Sequence, residues 1–151
     1  MIRRIDDPDM RRSVARTVLE ALPDWFGTPE ARESYIRESG GQIMIASFDG
    51  CKPNGFLCLR ETGKDTAEIA VMGVLKPCHR QGIGRQLYEE ARRIAADAGY
   101  SFLQVKTVRM GMYEDYDRTN RFYLSLGFKE FEVFPDLWDK ADPCQIYVMA
   151  L

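Results

Sequence analysis

Between residues 79 and 87 the chain reads His-Arg-Gln-Gly-Ile-Gly-Arg-Gln-Leu, and this run has the residue types an anion site needs. It joins a strand-like stretch, Glu68 to Leu75, to a strongly amphipathic helix starting near Gly82. A glycine-containing turn that opens a helix aims several backbone N–H groups at one spot, and the helix dipole adds positive potential there. Such a corner takes a phosphate or pyrophosphate. Gly82 and Gly84 let a ligand approach the backbone closely, with Arg80 and Arg85 as flanking charges. Two common phosphate motifs do not fit. A dinucleotide fingerprint needs a third glycine where Leu87 stands. A Walker loop needs Gly-Lys-Ser or Gly-Lys-Thr, and neither follows. On the glycines alone, an ordinary tight strand-to-helix turn stands as the alternative.

The elements that must position this turn follow from length and pattern. The chain has 151 residues, 45% of them hydrophobic, which suggests one domain spanning 1–151 with a real core rather than disorder. A net charge of −2 and a pI near 5.5 argue against general nucleic-acid binding. The start, Met-Ile-Arg-Arg-Ile-Asp-Asp, has no apolar stretch of signal length, and no run approaches a membrane span. Cys51, Cys58, Cys78 and Cys144 form no CxxC pair and there is one histidine, so no metal is expected. Free thiols in a reducing compartment point to a cytoplasmic protein.

Met1 to Ile5 reads as a first strand. Arg11 to Leu22 carries Val14, Val18, Leu19 and Leu22 at helical spacing and stops at Pro23. Thr28-Pro29-Glu30 reads as a second helix start, with Thr28 as the capping hydroxyl, running to Ser39 before Gly40-Gly41. Gln42 to Phe48 and Gly55 to Arg60 read as strands, with turn signals at Asp49-Gly50 and Pro53-Asn54. After a turn at Thr62 to Asp65, Ala67 to Leu75 completes a meander as an apolar, central strand. The helix from Gly82 to Ala98 and the strand Phe102 to Val108 make a crossover unit with a parallel strand. A short helix from Arg118 to Leu126 follows, then strands Phe128 to Phe134 and Gln145 to Met149 with an acidic loop between them. The order is β-α-α-β-β-β-α-β-α-β-β, an α+β domain with a mixed, mostly antiparallel sheet flanked by helices.

A second motif lies downstream. Asn120-Arg121-Phe122-Tyr123-Leu124-Ser125-Leu126-Gly127-Phe128 carries a tyrosine followed by a Gly-Phe pair. Together the two segments resemble the GNAT superfamily of N-acetyltransferases, whose acetyl-coenzyme A motif is Arg or Gln, then x-x-Gly-x-Gly or Ala, on the turn after the fourth strand. The resemblance covers the chain from about Gln42 to the end. It departs in two places. His79 stands where the family has Arg or Gln. Tyr116 stands where it often has an asparagine, and Asn120 lies four residues beyond.

The resemblance implies acetyl-coenzyme A as cosubstrate and no metal. It implies a pyrophosphate on the backbone from Arg80 to Arg85, through Gln81, Gly82, Ile83 and Gly84, with His79 beside it. The pantetheine arm would pair like an extra strand with the edge at Met72, Gly73 and Val74, and an N–H near Val74 would hold the thioester carbonyl. Tyr116, Thr119 and Asn120 are the further coenzyme contacts it suggests. Tyr123 would be the general acid for the departing thiolate; its alternative is a core residue whose hydroxyl reaches water. Glu68, in a run similar to that bearing the base glutamate of histone acetyltransferases, would be the general base with a raised pKa; its alternative is a solvated strand-end charge. Cys78 reads as an incidental thiol.

The segments Arg109 to Asp117 and Pro135 to Pro143 would flank the acceptor. Their aromatic and acidic residues, among them Tyr113, Trp138, Asp139 and Asp142, suit a cationic small-molecule amine or an exposed lysine, or else are solvated loop acids. The function expected is direct acetyl transfer to an amine. A non-catalytic acyl-coenzyme A-binding sensor or interaction module of the same fold is the alternative. Dimers are common in the superfamily, so a homodimer is compatible with the resemblance.

Overall fold

The computed structural model describes every residue from Met1 to Leu151. In chain order the elements are β1 (Ile2–Ile5), α1 (Pro8–Glu20), α2 (Pro29–Ser39), β2 (Ile43–Asp49), β3 (Lys52–Gly63) and β4 (Thr66–Val74). A 3₁₀ turn (Lys76–Cys78) leads to α3 (Ile83–Asp97), β5 (Phe102–Val108), α4 (Glu114–Ser125), β6 (Lys129–Asp139) and β7 (Asp142–Ala150). The strand order is β1-β2-β3-β4-β5-β7-β6 in one seven-stranded sheet. The pairs β1–β2, β2–β3, β5–β7 and β6–β7 are antiparallel. The backbone N–H groups of Ser101 and Phe102, at the head of β5, both donate to the Asp65 carbonyl at the head of β4. The two strands therefore start at the same end and run parallel, as a helical crossover requires. The sheet is mixed and the element order is the expected one.

The chain divides into two compact units. One comprises Met1–Arg60 and Ile69–Ile94, the other Glu61–Glu68 and Ala95–Leu151. In the first, Val14, Val18, Leu19 and Leu22 of α1 lie buried with Met44, Phe56 and Val71 of the sheet. In the second, Leu103, Val105, Tyr123, Phe128 and Tyr147 are buried.

Several boundaries differ from the periodicity reading, each for a local reason. Helix α1 begins at Pro8 rather than Arg11 because Asp7 caps it, accepting from the Met10 N–H at 2.8 Å, and Pro8 fits the first turn. Thr28 makes no side-chain cap bond, so α2 starts on Pro29 alone. Helix α4 starts at Glu114, four residues before Arg118, with Glu114, Asp115 and Asp117 in its first turn, where acids complement the dipole. Pro53 and Asn54 belong to β3, because the β2–β3 turn is the two-residue Gly50-Cys51 hairpin between Asp49 and Lys52.

The expected loop from Pro135 to Pro143 is a correction of another kind. β6 runs to Asp139 and β7 resumes at Asp142, so the hairpin is continuous. Its register jumps from Phe134↔Cys144 to Asp139↔Asp142, leaving residues 135–138 bulged opposite Pro143. Asp139 Oδ1 accepts from the N–H groups of Ala141 and Asp142 and closes the turn. As the edge strand, β6 tolerates Pro135, which has no N–H to pair.

Candidate active site

The Leu75 N–H, just past β4, donates to the Asn54 carbonyl of β3 at 2.9 Å. Backbone groups turn to alternate sides along a strand. Gly73 therefore also faces β3, while Met72 and Val74 direct their N–H and C=O groups to the other side. Of the three strand residues expected at the coenzyme, Gly73 is thus turned away. It is glycine for packing: a Cβ would stand 2.9 Å from Leu22 Cδ1 and 3.1 Å from Val18 Cγ1 of α1.

Beyond β4 the backbone curls. Cys78 N–H bonds the Leu75 carbonyl at 2.8 Å and His79 N–H bonds Lys76 at 3.1 Å. Arg80 then takes φ 63° and Gly82 φ 81°, two left-handed residues separated by Gln81. Such alternation makes successive N–H groups converge into a concave anion nest. Holding the non-glycine Arg80 there costs about 1 kcal/mol. A Cβ on Gly82 would meet nothing within 4 Å, so its backbone angle, not crowding, demands glycine.

The first bond of α3 runs from the Gln86 N–H to the Gly82 carbonyl at 3.0 Å. The N–H groups of Ile83, Gly84 and Arg85 precede it and lack partners within the helix. The first turn of α3 holds no acidic side chain, and Arg80, Gln81 and Arg85 are exposed. These donors and charges fit a diphosphate. The His79 imidazole turns back to the strand, its Nε2 lying 2.6 Å from the Val74 carbonyl oxygen.

In the second unit the chemistry is buried. Asn120 is fully buried, and its amide donates to the carbonyls of Val108 at 2.8 Å and Tyr116 at 2.7 Å. Its Oδ1 accepts from the buried Tyr147 hydroxyl at 2.6 Å. Both donors are spent inside the protein, so Asn120 ties α4 to β5 and β7. The Thr119 hydroxyl donates to the Asp115 carbonyl one turn back, at 3.2 Å. The Tyr116 ring lies 6.1 Å from that of Tyr113.

Tyr123 is buried, with the rings of Phe122, Phe128 and Tyr147 at 5.5, 5.7 and 6.3 Å. Burial alone pushes its phenol well above the usual tyrosine range. The reading of its hydroxyl as a solvated tip does not match this packing.

Glu68 is 2% exposed, which removes the reading of a solvated strand-end charge. It accepts from Gln104 Nε2 at 3.1 Å and pairs with Lys106 Nζ at 3.1 Å. It is therefore not a lone acid among apolar neighbours.

The two segments expected at the acceptor meet in this unit. Arg109 N–H donates to the Pro143 carbonyl at 2.9 Å, and the Tyr113 hydroxyl donates to Asp142. Asp117 accepts from the Gly111 N–H at 2.7 Å. Asp117, Asp139 and Asp142 thus have structural work, while Met112, Tyr113, Leu137 and Trp138 are exposed.

Residues 32–130 match the family model described as the acetyltransferase (GNAT) domain. The chain belongs to the GNAT acetyltransferase family. It is accordingly an enzyme of the acyltransferase class. Solved structures agree on the fold. A protein from Desulfovibrio desulfuricans assigned to the GNAT family superposes with a TM-score of 0.86 at 20% identity, over 99% of this chain and 98% of that one. An aminoglycoside 6′-N-acetyltransferase complexed with coenzyme A gives 0.77 at 18%, over 99% and 96%. The ribosomal-protein-S18-alanine N-acetyltransferase of Escherichia coli gives 0.75 at 17%, over 99% and 94%. No curated protein matches the chain in sequence. No helix of this GNAT chain is long and apolar enough to cross a membrane.

Sequence reasoning missed Gln104 and Lys106 as partners of Glu68. Strand alternation puts Gln104 and Lys106 on one face of β5 and supplied the only available hint. It also missed Trp25, whose ring edge approaches the His79 ring at 5.9 Å. Nothing in the motif of this GNAT chain points to that contact.

Proposed function

We propose that this enzyme transfers an acetyl group from acetyl-coenzyme A directly to an amine. The observation that carries the reading is the pair of left-handed residues, Arg80 and Gly82, leading into the first turn of α3, which holds no competing carboxylate. The coenzyme diphosphate sits on those amides. The pantetheine arm lies along the Met72 and Val74 edge, and the Val74 N–H stabilises the oxyanion. The amine nitrogen attacks the acetyl carbon, the C–S bond breaks, and the thiolate takes a proton. Tyr123 supplies that proton; its raised pKa keeps it protonated over the working pH range. A phenol that holds its proton so firmly is a reluctant donor to a thiolate, whose conjugate acid sits near a pKa of about 8.5. Its contribution belongs at the low end of general-acid effects.

We assign Glu68 to the framework. Val74 lies six residues beyond it, about 20 Å along an extended strand, and Gln104 and Lys106 already engage its carboxylate. The acceptor ammonium gives one proton to water to free the attacking lone pair, and its nitrogen loses a second to water as the amide forms. The acceptor is a cationic amine, small or on an exposed lysine, drawn by the exposed Tyr113 and Trp138 rings.

The decisive assay follows free thiol release from acetyl-coenzyme A with a panel of amines, with mass spectrometry of the products. The expected result is release with at least one cationic amine and a product heavier by one acetyl group. Binding of the coenzyme with no release from any amine would instead make the chain a binding module. Preference for neutral or anionic amines would remove the cationic acceptor.

A further inference from the structure

The inference below rests on the coenzyme reading and concerns what fixes the distance between its two halves. The Val74–Leu75 peptide is held at both polar ends. Its carbonyl lies 2.6 Å from His79 Nε2, and its N–H donates to the Asn54 carbonyl at 2.9 Å. A carbonyl only accepts, so Nε2 carries the proton. The bond closes a short ring of chain from the end of β4 to the residue just before the anion nest.

His79 is the chain's one histidine, and its ring is supported. The Trp25 ring meets it edge-on at 5.9 Å and 70°. Lys76 Nζ stands 5.6 Å from the centre of the Trp25 ring and is ion-paired with Asp24. Both Asp24 and Trp25 belong to the α1–α2 connection. An exposed pair such as Lys76–Asp24 contributes little on its own. The strong, directional element of the cluster is the imidazole bond to Val74.

We propose that His79 is a positioning residue: its bond to the Val74 carbonyl sets the spacing between the β4 edge and the amide nest, with Trp25 bracing the ring. A molecule held at both places gains from their fixed separation, because binding one half raises the effective concentration of the other. Imidazole suits this role. It has two side-chain torsions to hold in place, whereas the Arg or Gln of the family motif has more.

Calorimetry on two probes tests this: coenzyme A, and its nucleotide half, adenosine 3′-phosphate 5′-diphosphate. His79→Ala should weaken coenzyme A about 10-fold and the nucleotide half by less than about 2-fold, because only the intact molecule reads the spacing. His79→Gln returns an N–H donor near the same place and should recover most of the loss. Trp25→Ala should reproduce part of it. Thermal unfolding confirms that each variant is folded, as expected for the exposed His79. Equal weakening of both probes, no weakening, or a Gln variant as poor as the Ala variant would overturn the clasp. Failure of the unaltered protein to bind either probe would instead overturn the coenzyme reading on which it rests.

Discussion

The nest after β4 and the buried network around Asn120 are built on opposite plans. The nest is exposed and made of backbone: its donors are amides, and its shape comes from two left-handed residues, Arg80 and Gly82. The network is buried and made of side chains: Asn120 bonded to Tyr147, with the Tyr123 ring packed against Tyr147. Ligand binding needs unspent donors, which survive only where water can reach them before the ligand does. A buried donor must be spent within the fold. The difference teaches that a motif residue in a buried stretch is first a structural member, whereas one in an exposed curl is open to chemistry.

The largest effect that would sharpen this contrast is at Asn120. Asn120→Ala strips a partner from the Tyr147 hydroxyl and from the Val108 and Tyr116 carbonyls, and should destabilise the protein by about 3 kcal/mol. Denaturant unfolding measures it. A full-stability variant with weakened coenzyme affinity would place Asn120 at the ligand instead.

Tyr123→Phe keeps the ring among Phe122, Phe128 and Tyr147 and removes only the hydroxyl. Turnover should fall about 10²-fold with coenzyme affinity nearly unchanged. Because burial raises the Tyr123 pKa, the protonated, active form persists as pH rises, so no alkaline fall assignable to Tyr123 should appear below pH 10. Unaltered turnover in the Phe variant would return Tyr123 to the core alone.

Glu68→Gln retains a hydrogen bond to Gln104 but leaves Lys106 without its charge partner. With Lys106 27% exposed, the loss should be about 1 kcal/mol of stability. The pH–rate profile should keep its shape. Disappearance of its acidic limb would restore Glu68 as the base.

The smallest effect separates backbone from charge within the nest. Arg80→Gly relieves the left-handed strain and should stabilise the protein by about 1 kcal/mol, while coenzyme A binds a few-fold more weakly and with a reduced dependence on salt. Loss of stability would mean that the Arg80 side chain holds the turn.

The sequence made the framework legible because its signals were local. The apolar stripe Ile83, Leu87, Ala91 marks α3, and all three residues are buried. Gly82 announced the turn because only its backbone freedom allows φ 81° there. Helix starts were read late at Asp7-Pro8 and at Glu114, where capping and dipole chemistry, not apolar spacing, set the boundary. The roles of Asn120 and Glu68 were hidden because their partners are distant in sequence: Tyr147 lies 27 residues from Asn120, and Gln104 lies 36 from Glu68. No local pattern reports such pairs. The same holds for Gly73, whose glycine reflects Val18 and Leu22 of α1.

The most direct test of the diphosphate nest is an amide-resolved NMR titration of the protein with coenzyme A. The backbone amides from Arg80 to Arg85 should show the largest shifts, with Val74 following, and the nucleotide half of the coenzyme should move the first group alone. Large shifts elsewhere with residues 80–85 unmoved at saturation would contradict the placement of the coenzyme on this turn.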